Sequence, residues 1–241
     1  MASVVALVPA RAGSKGVPNK NVRMFGGHSL LAWTIAASRR AEGVSRVIVS
    51  TDSPDYAALA IAEGAEAPFL RPAEISGDRS TDYEFIVHAL DWLAARGEEP
   101  ELVVHMRPTT PVRDPQLVAD AVTAFRNARA ATALRSVHEM SESAYKTFEI
   151  GSGGQLKRVA SDSTALDATN NARQQFPKTY SANGYVDVLS VAFIRTSGLI
   201  HGHHVVPFIT PPVVEVDTEH DFADLELQLV RTPHLVQRLF A

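Results

Sequence analysis

The chain has 241 residues, 45% of them hydrophobic and 21% charged, and a net charge of −4, the composition of an ordinary globular protein of one α/β domain, or of one domain with a substantial insertion. It has no cysteine, which excludes disulfides, thiol catalysis and thiolate metal sites and agrees with a reducing cytoplasm. No apolar run approaches the ~20 residues of a membrane span, and Met1-Ala2-Ser3 leads into an apolar run without the layout of a signal peptide, so a cytoplasmic protein with no membrane partner is expected.

The first element is the apolar run over residues 4–8, which reads as a buried strand ended by Pro9. Arg11, Gly13, Ser14, Lys15, Gly16, Pro18, Lys20 and Asn21 follow, with no acid among them. Glycines let backbone N–H groups approach an anion closely, and the cations and polar side chains supply more donors. A strand tip feeding such a loop at the edge of an α/β sheet is where phosphates bind. The loop is not of the Gly-x-x-x-x-Gly-Lys-Ser/Thr kind. Residues 1–41 hold Arg11, Lys15, Lys20, Arg23, Arg39 and Arg40 and no Asp or Glu, so this segment carries +6 and the remainder −4 − 6 = −10. A positive field focused at the first strand's exit suits a small polyanion such as a nucleoside triphosphate. The acidic remainder would repel a nucleic-acid backbone.

Ser29 is a candidate N-cap for a helix with Leu30, Leu31, Trp33, Ile35 and Ala37 inward, Arg39-Arg40 in its last turn and Gly43 beyond. Residues 47–49 form a second strand, leading to Ser50-Thr51-Asp52, and Pro54 opens a helix that stops at Gly64. Residues 67–70 read as a short strand before Arg71-Pro72-Ala73-Glu74. Residues 78–82 cap a helix with Phe85, Ile86, Ala89, Leu90 and Leu93 buried. A strand at 102–104 leads to Arg107-Pro108-Thr109-Thr110-Pro111-Val112-Arg113, whose prolines restrict the backbone and hold side chains ready at the strand tip. Asp114-Pro115 starts another helix, and 131–137 should be a central strand.

Between residues 138 and 184 the pattern loosens around a hairpin-like turn at 151–154, and a strand is expected over 186–194. His201, His203 and His204 have spacing that can bind zinc, but no acid or cysteine lies nearby in sequence, so a solvated loop is expected. In strand geometry Glu215 and Asp217 share a side, about 6.5–7 Å apart. Such a pair suits Mg²⁺, which takes one or two carboxylates plus substrate phosphate oxygens. Phe222, Leu225 and Leu229 mark a last amphipathic helix.

The stretch LVPARAGSKGVPNKN at residues 7–21 closely resembles the N-terminal signature of the CMP-sialic-acid synthetases, also called acylneuraminate cytidylyltransferases. Val-Ser-Thr-Asp at 49–52, Arg-Pro-x-Glu at 71–74, the 107–113 loop, Tyr145-Lys146-Thr147, Arg173-Gln174-Gln175-Phe176-Pro177, Asn183-Gly184 and the acid run at 215–221 extend the resemblance over most of the chain. It is less like the CMP-Kdo synthetases, whose loop has Ser-Thr-Arg-Leu-Pro. The resemblance implies a Rossmann-like three-layer nucleotidyltransferase fold with a mostly parallel sheet. It implies one domain over 1–241, with 138–184 inserted to serve dimerisation and the sugar site, hence a homodimer. The implied reaction joins CTP to a nine-carbon 2-keto-3-deoxy acid sugar of sialic or legionaminic type, with Mg²⁺, and releases pyrophosphate.

Residue by residue, the resemblance assigns Arg11, Lys20 and Asp217 to catalysis. Ala10, Ser14, Lys15, Asn21, Arg71, Ser80 and Thr81 fall to the nucleotide, and Arg107, Lys146, Arg173, Gln175, Asn183 and Glu215 to the sugar. Asp217 and Glu215 would hold the metal. The sequence departs from the family at two places. Arg107 stands where the sialic-acid branch commonly has Gln, and adds a charged fork suited to a carboxylate or phosphate. Ser181 stands where that branch often has Arg, a loss that Arg107 or Lys178 could compensate. The alternatives are a nucleotide-sugar-dependent glycosyltransferase, which also combines an α/β sheet with an acid-x-acid metal site, a nucleotide-binding regulator without catalysis, and a Kdo-type synthetase.

Overall fold

The computed structural model describes residues 3–14, 16–159, 161 and 163–241. The strands are β1 (Val4–Pro9), β2 (Met24–Phe25), β3 (His28–Ser29), β4 (Arg46–Ser50), β5 (Leu102–His105), β6 (Ala133–Glu139), β7 (Phe148–Ile150), β8 (Leu156–Arg158), β9 (Tyr180–Ser190) and β10 (Val205–Ile209). The helices are α1 (Leu30–Arg40), α2 (Pro54–Ala62), α3 (Asp82–Ala94), α4 (Pro115–Asn127), α5 (Val191–Ser197), α6 (His220–Arg231) and α7 (His234–Phe240).

The main sheet runs β10-β6-β9-β5-β1-β4. β1 pairs in parallel with β4 and β5, and β10 in parallel with β6, whereas β9 runs antiparallel between β5 and β6. Strands covered on both faces read as unbroken apolar runs, and β1 shows why. Val4, Ala6 and Val8 face one core with Leu31 and Ile35 of α1 and Val118, Val122 and Phe125 of α4. Val5 and Leu7 face the other, with Phe85, Ile86, Ala89, Leu90 and Leu93 of α3. Period-two alternation along one strand thus fills both sides of a three-layer α/β sandwich, the mostly parallel architecture expected. A third cluster joins Phe25, Leu30 and Trp33 to Val216, Leu225, Leu235 and Leu239, fastening the carboxyl-terminal helices beside α1. Among the described residues no helix is long and apolar enough to cross a membrane.

Several expectations need correction. The strand expected over 67–70 is reduced to two isolated bridges, Ile48 with Glu66 and Thr51 with Leu70. The strand expected over 186–194 begins earlier, at Tyr180, and stops at Ser190, whose hydroxyl accepts the Phe193 N–H and caps α5. An apolar run that crosses a cap cannot be split by periodicity alone. The strand expected over 131–137 is β6, displaced by two residues and flanked on both sides, though β9 lies nearer the sheet's middle. Residues 213–217 join no strand: the Val216 N–H donates to the Thr109 carbonyl (2.7 Å), tying this segment to the 107–113 loop rather than to the sheet edge. The turn at 151–154 does close an antiparallel hairpin, β7 on β8. Helix α7, which no reading above anticipates, follows Pro233.

Candidate active site

The site is built at the carboxyl ends of β1, β4 and β5. Leaving β1, the Ala10 N–H donates to the Ser50 carbonyl and the Ala12 N–H to Asp52 Oδ1 (2.8 Å), so the end of β4 steers the loop. Asn21 is buried and its amide donates to the Arg11 carbonyl (3.0 Å), closing the loop on itself. Asn19 adopts a left-handed conformation (φ 54°), which Asn tolerates better than most side chains. Gly16 passes so near the far end of the chain that a Cβ there would lie 2.5 Å from the Asp217 carbonyl oxygen, a contact only glycine permits. Lys20 completes this junction, its Nζ donating to the Val216 carbonyl (2.7 Å) and to Asp217 Oδ1 (3.1 Å). Residues near the two chain ends therefore meet at one place.

Arg11, Ser14, Lys20, Asn21, Arg71, Ser80, Thr81, Arg107 and Asp217 line one cavity of ≈ 450 Å³. Lys15 lies outside the described residues. Arg71 is buried rather than a surface arginine: it donates to the Ser50 carbonyl and hydroxyl, and its guanidinium lies 4.9 Å from the centre of the Phe85 ring. Burial lowers its pKa to about 10, which leaves it charged at neutral pH. Thr81 is the N-cap of α3, paired with Glu84 in a reciprocal capping box, so capping accounts for its hydroxyl. Arg11 reaches Asp78 at 3.1 Å.

Arg107 lines the cavity, but its fork is engaged. Nη2 donates to Asp82 Oδ2 (2.7 Å) and Nη1 to Asp187 Oδ2 (3.1 Å). Burial favours its neutral form, and the two carboxylates outweigh burial and raise its pKa. His105, wholly buried beside them, is driven by burial down to about 3 and is neutral.

The other residues assigned by resemblance lie elsewhere. Ala10 is fully buried, and Asn183 is a buried brace, its amide donating to Thr210 Oγ1 (2.7 Å) while its carbonyl accepts the Tyr185 N–H. Glu215 accepts from the Thr109 hydroxyl (3.2 Å). Lys146 donates to the Asn171 carbonyl (3.0 Å). Arg173 donates to Glu139 and to the Met140 carbonyl, and Lys178 donates to the same Glu139. Arg173 lines a separate cleft of ≈ 500 Å³ together with Gln174 rather than Gln175.

Among the described residues no group of three His, Asp or Glu side chains is placed to hold a metal. Mg²⁺ needs fewer: one exposed carboxylate facing a phosphate site suffices, and Asp217, with 74% of its side chain exposed, fits that requirement. His201 corrects the solvated-loop expectation, since its Nε2 lies 3.5 Å from Asp187 Oδ2; His203 and His204 are exposed.

Sequence reasoning missed Arg113 and Asp187. Arg113 is fully buried and donates to the carbonyls of Arg107, Gly184 and Tyr185 and to Thr34 Oγ1. Asp187 is 1% exposed within an apolar strand. A charge inside Val-Asp-Val-Leu was the available signal.

The sequence profile of the family described as cytidylyltransferase matches residues 5–188. The chain is similar to the N-acylneuraminate cytidylyltransferase of Escherichia coli O18:K1:H7, at 40% identity over 123 residues, 51% of this chain and 28% of that protein. It is also similar to the CMP-N,N'-diacetyllegionaminic acid synthase of Legionella pneumophila, at 36% identity over 49% of this chain and 51% of that protein. The matched stretches thus span about half or less of these relatives' length. In three dimensions it resembles a CMP:2-keto-3-deoxy-manno-octonic acid synthetase complexed with CTP, with a TM-score of 0.71 at 14% identity over 95% of this chain and 99% of that one. With a profile covering most of its length and the loop, cavity and sheet described above, the chain belongs to the cytidylyltransferase family.

Proposed function

We propose that the protein joins CTP to a nine-carbon 2-keto-3-deoxy acid sugar of sialic or legionaminic type, giving a CMP-sugar and pyrophosphate in the cytoplasm. The observation that carries this reading is the shared cavity: Arg11, Lys20 and Arg71 from the amino-terminal half meet Asp217 from the carboxyl-terminal end. The two relatives, an N-acylneuraminate cytidylyltransferase and a CMP-N,N'-diacetyllegionaminic acid synthase, support the sugar class.

The triphosphate lies against the loop after β1, where Ser14 and Asn21 border the cavity. The acceptor's anomeric oxygen attacks the α-phosphorus, the bond from that phosphorus to the β-phosphate oxygen breaks, and the hydroxyl proton passes to solvent or to the Asp217 carboxylate. Such a displacement needs positioning and charge neutralisation more than covalent help. Arg11 and Lys20 offset the negative charge that moves onto the leaving pyrophosphate. Lys20 also holds Asp217 in place through their 3.1 Å contact. Asp217 would hold Mg²⁺, which would supply further positive charge to the phosphates.

The test is pyrophosphate release across CTP, UTP and GTP with a panel of nine-carbon and eight-carbon keto-acid sugars, with and without Mg²⁺. Release with CTP and a nine-carbon acid, lost on chelation, is expected. Preference for the eight-carbon acid would move the assignment to a Kdo-type synthetase. Release of free nucleoside diphosphate instead would indicate a glycosyltransferase.

A further inference from the structure

Asp187 occupies the middle of the sheet on β9, paired in register with His105 of β5 on one side and Arg135 of β6 on the other. A carboxylate buried among valines has to be matched by charge or hydrogen bonds. Its partners are Arg107 Nη1 at 3.1 Å, His201 Nε2 at 3.5 Å and Arg135 Nε at 4.0 Å. The other terminal nitrogen of Arg107 is bonded to Asp82, and both Arg107 and Asp82 line the cavity while Asp187 lies behind them. A free guanidinium would be an anion hook, because its fork matches carboxylate and phosphate. This one is clamped between two carboxylates.

We infer that Asp187 is a positioning residue of the acceptor subsite: it fixes the Arg107 guanidinium against Asp82, so that this wall of the cavity selects a hydroxyl-bearing part of the acceptor over an anionic one. The inference rests on the proposed transfer to an acid sugar and names which part of that sugar faces Arg107. A ligand hydroxyl can donate to Asp82, whereas a ligand carboxylate at the same place would meet like charge, and such repulsion is how a site rejects the wrong group. Burial opposes ionisation of Asp187, but His201 and Arg107 outweigh it and hold its carboxyl at about 2, so the clamp is charged throughout the neutral range.

Two measurements on Asp187→Asn test this. In nitrogen-detected NMR of the guanidinium groups, Arg107 should show hindered rotation in the wild type and faster rotation in the variant, which keeps only the bond to Asp82. In steady-state kinetics the acceptor KM should rise at least tenfold, with the CTP KM changed by less than about twofold. The double variant with Arg107→Gln should be no worse than Arg107→Gln alone, because Asp187 acts through Arg107. Unchanged rotation, an unchanged acceptor KM, or independent losses in the double variant would overturn the inference. Should Asp187→Asn not fold, Asp82→Asn releases the other edge of the same guanidinium and should raise the acceptor KM likewise. A wild-type enzyme inactive with every acid sugar would instead overturn the proposed function, and the NMR comparison would still decide whether Asp187 holds Arg107.

Discussion

Lys20 and Asp217 are 197 positions apart, and their contact is the smallest unit from which the proposed chemistry follows. Lys20 is mostly buried and takes a backbone carbonyl as well as the carboxylate, so its ammonium is fixed before any substrate arrives. Removal of one such preorganised group costs about 3 kcal/mol, on the order of a hundredfold in rate. Asp217→Ala and Lys20→Ala should each lose at least that much pyrophosphate release while keeping a wild-type circular dichroism spectrum; near-normal release by either would contradict its role. At this scale the amino-terminal loop was legible because its cations, glycines and Asn21 sit within eleven consecutive residues. The state of Arg107 was not. Its partners lie 25 and 80 positions away, and nothing local tells an open fork from an engaged one.

Among the elements, helix starts were the best predicted, because a cap is a local chemical fact. Ser29, Thr81 and Asp114 each accept a backbone N–H at the start of their helix, and Pro54 and Pro115 occupy first-turn positions. Strand limits were harder, as β9 and the unpaired 213–217 segment show, because pairing depends on which distant strand is available. The 107–113 loop owes its shape to such long-range bonds. Arg113 gathers four acceptors from three parts of the chain, and Tyr185 OH accepts the Asp114 N–H beside it. Truncation would leave several carbonyls buried without donors, each at about 1–3 kcal/mol. Arg113→Ala should therefore lower stability by roughly 3 kcal/mol or more, read as a lower urea midpoint. A variant as stable as the wild type would show that the loop is held by other means.

For the whole molecule, the segment that joins β6 to β9 in the chain carries a cluster of exposed apolar side chains. Phe148, Ile150, Leu156 and Val159 are exposed on or beside the β7–β8 hairpin, and Ile150 pairs directly with Leu156. Apolar side chains gathered on a protruding two-stranded ribbon suit burial against a second copy, the homodimer that the family resemblance implies. In analytical ultracentrifugation the wild type is expected to sediment as a dimer and the Ile150→Asp, Leu156→Arg double variant as a monomer. An unchanged sedimentation coefficient would place the subunit contact elsewhere. The clustering of charge was visible in the sequence at this scale, since the +6 segment supplies two of the four cations among the described residues that line the cavity, Arg11 and Lys20. The second cleft, with Arg173 and Lys178 on Glu139, was not, because turns without a regular period give no registration to read.

The antiparallel course of β9 also bears on how the chain is made. During synthesis β1, β4 and β5 can assemble early, whereas β6 pairs only with strands made after it, and the strand that bridges it to β5 ends only at residue 190. Until that point leaves the ribosome, β5 and β6 each present an open row of amides and carbonyls, the kind of edge that recruits strands from other chains. A nascent chain that has emerged only to shortly before residue 180 would accordingly be stickier than one that has emerged past 200, although both would already expose the whole loop that follows β1.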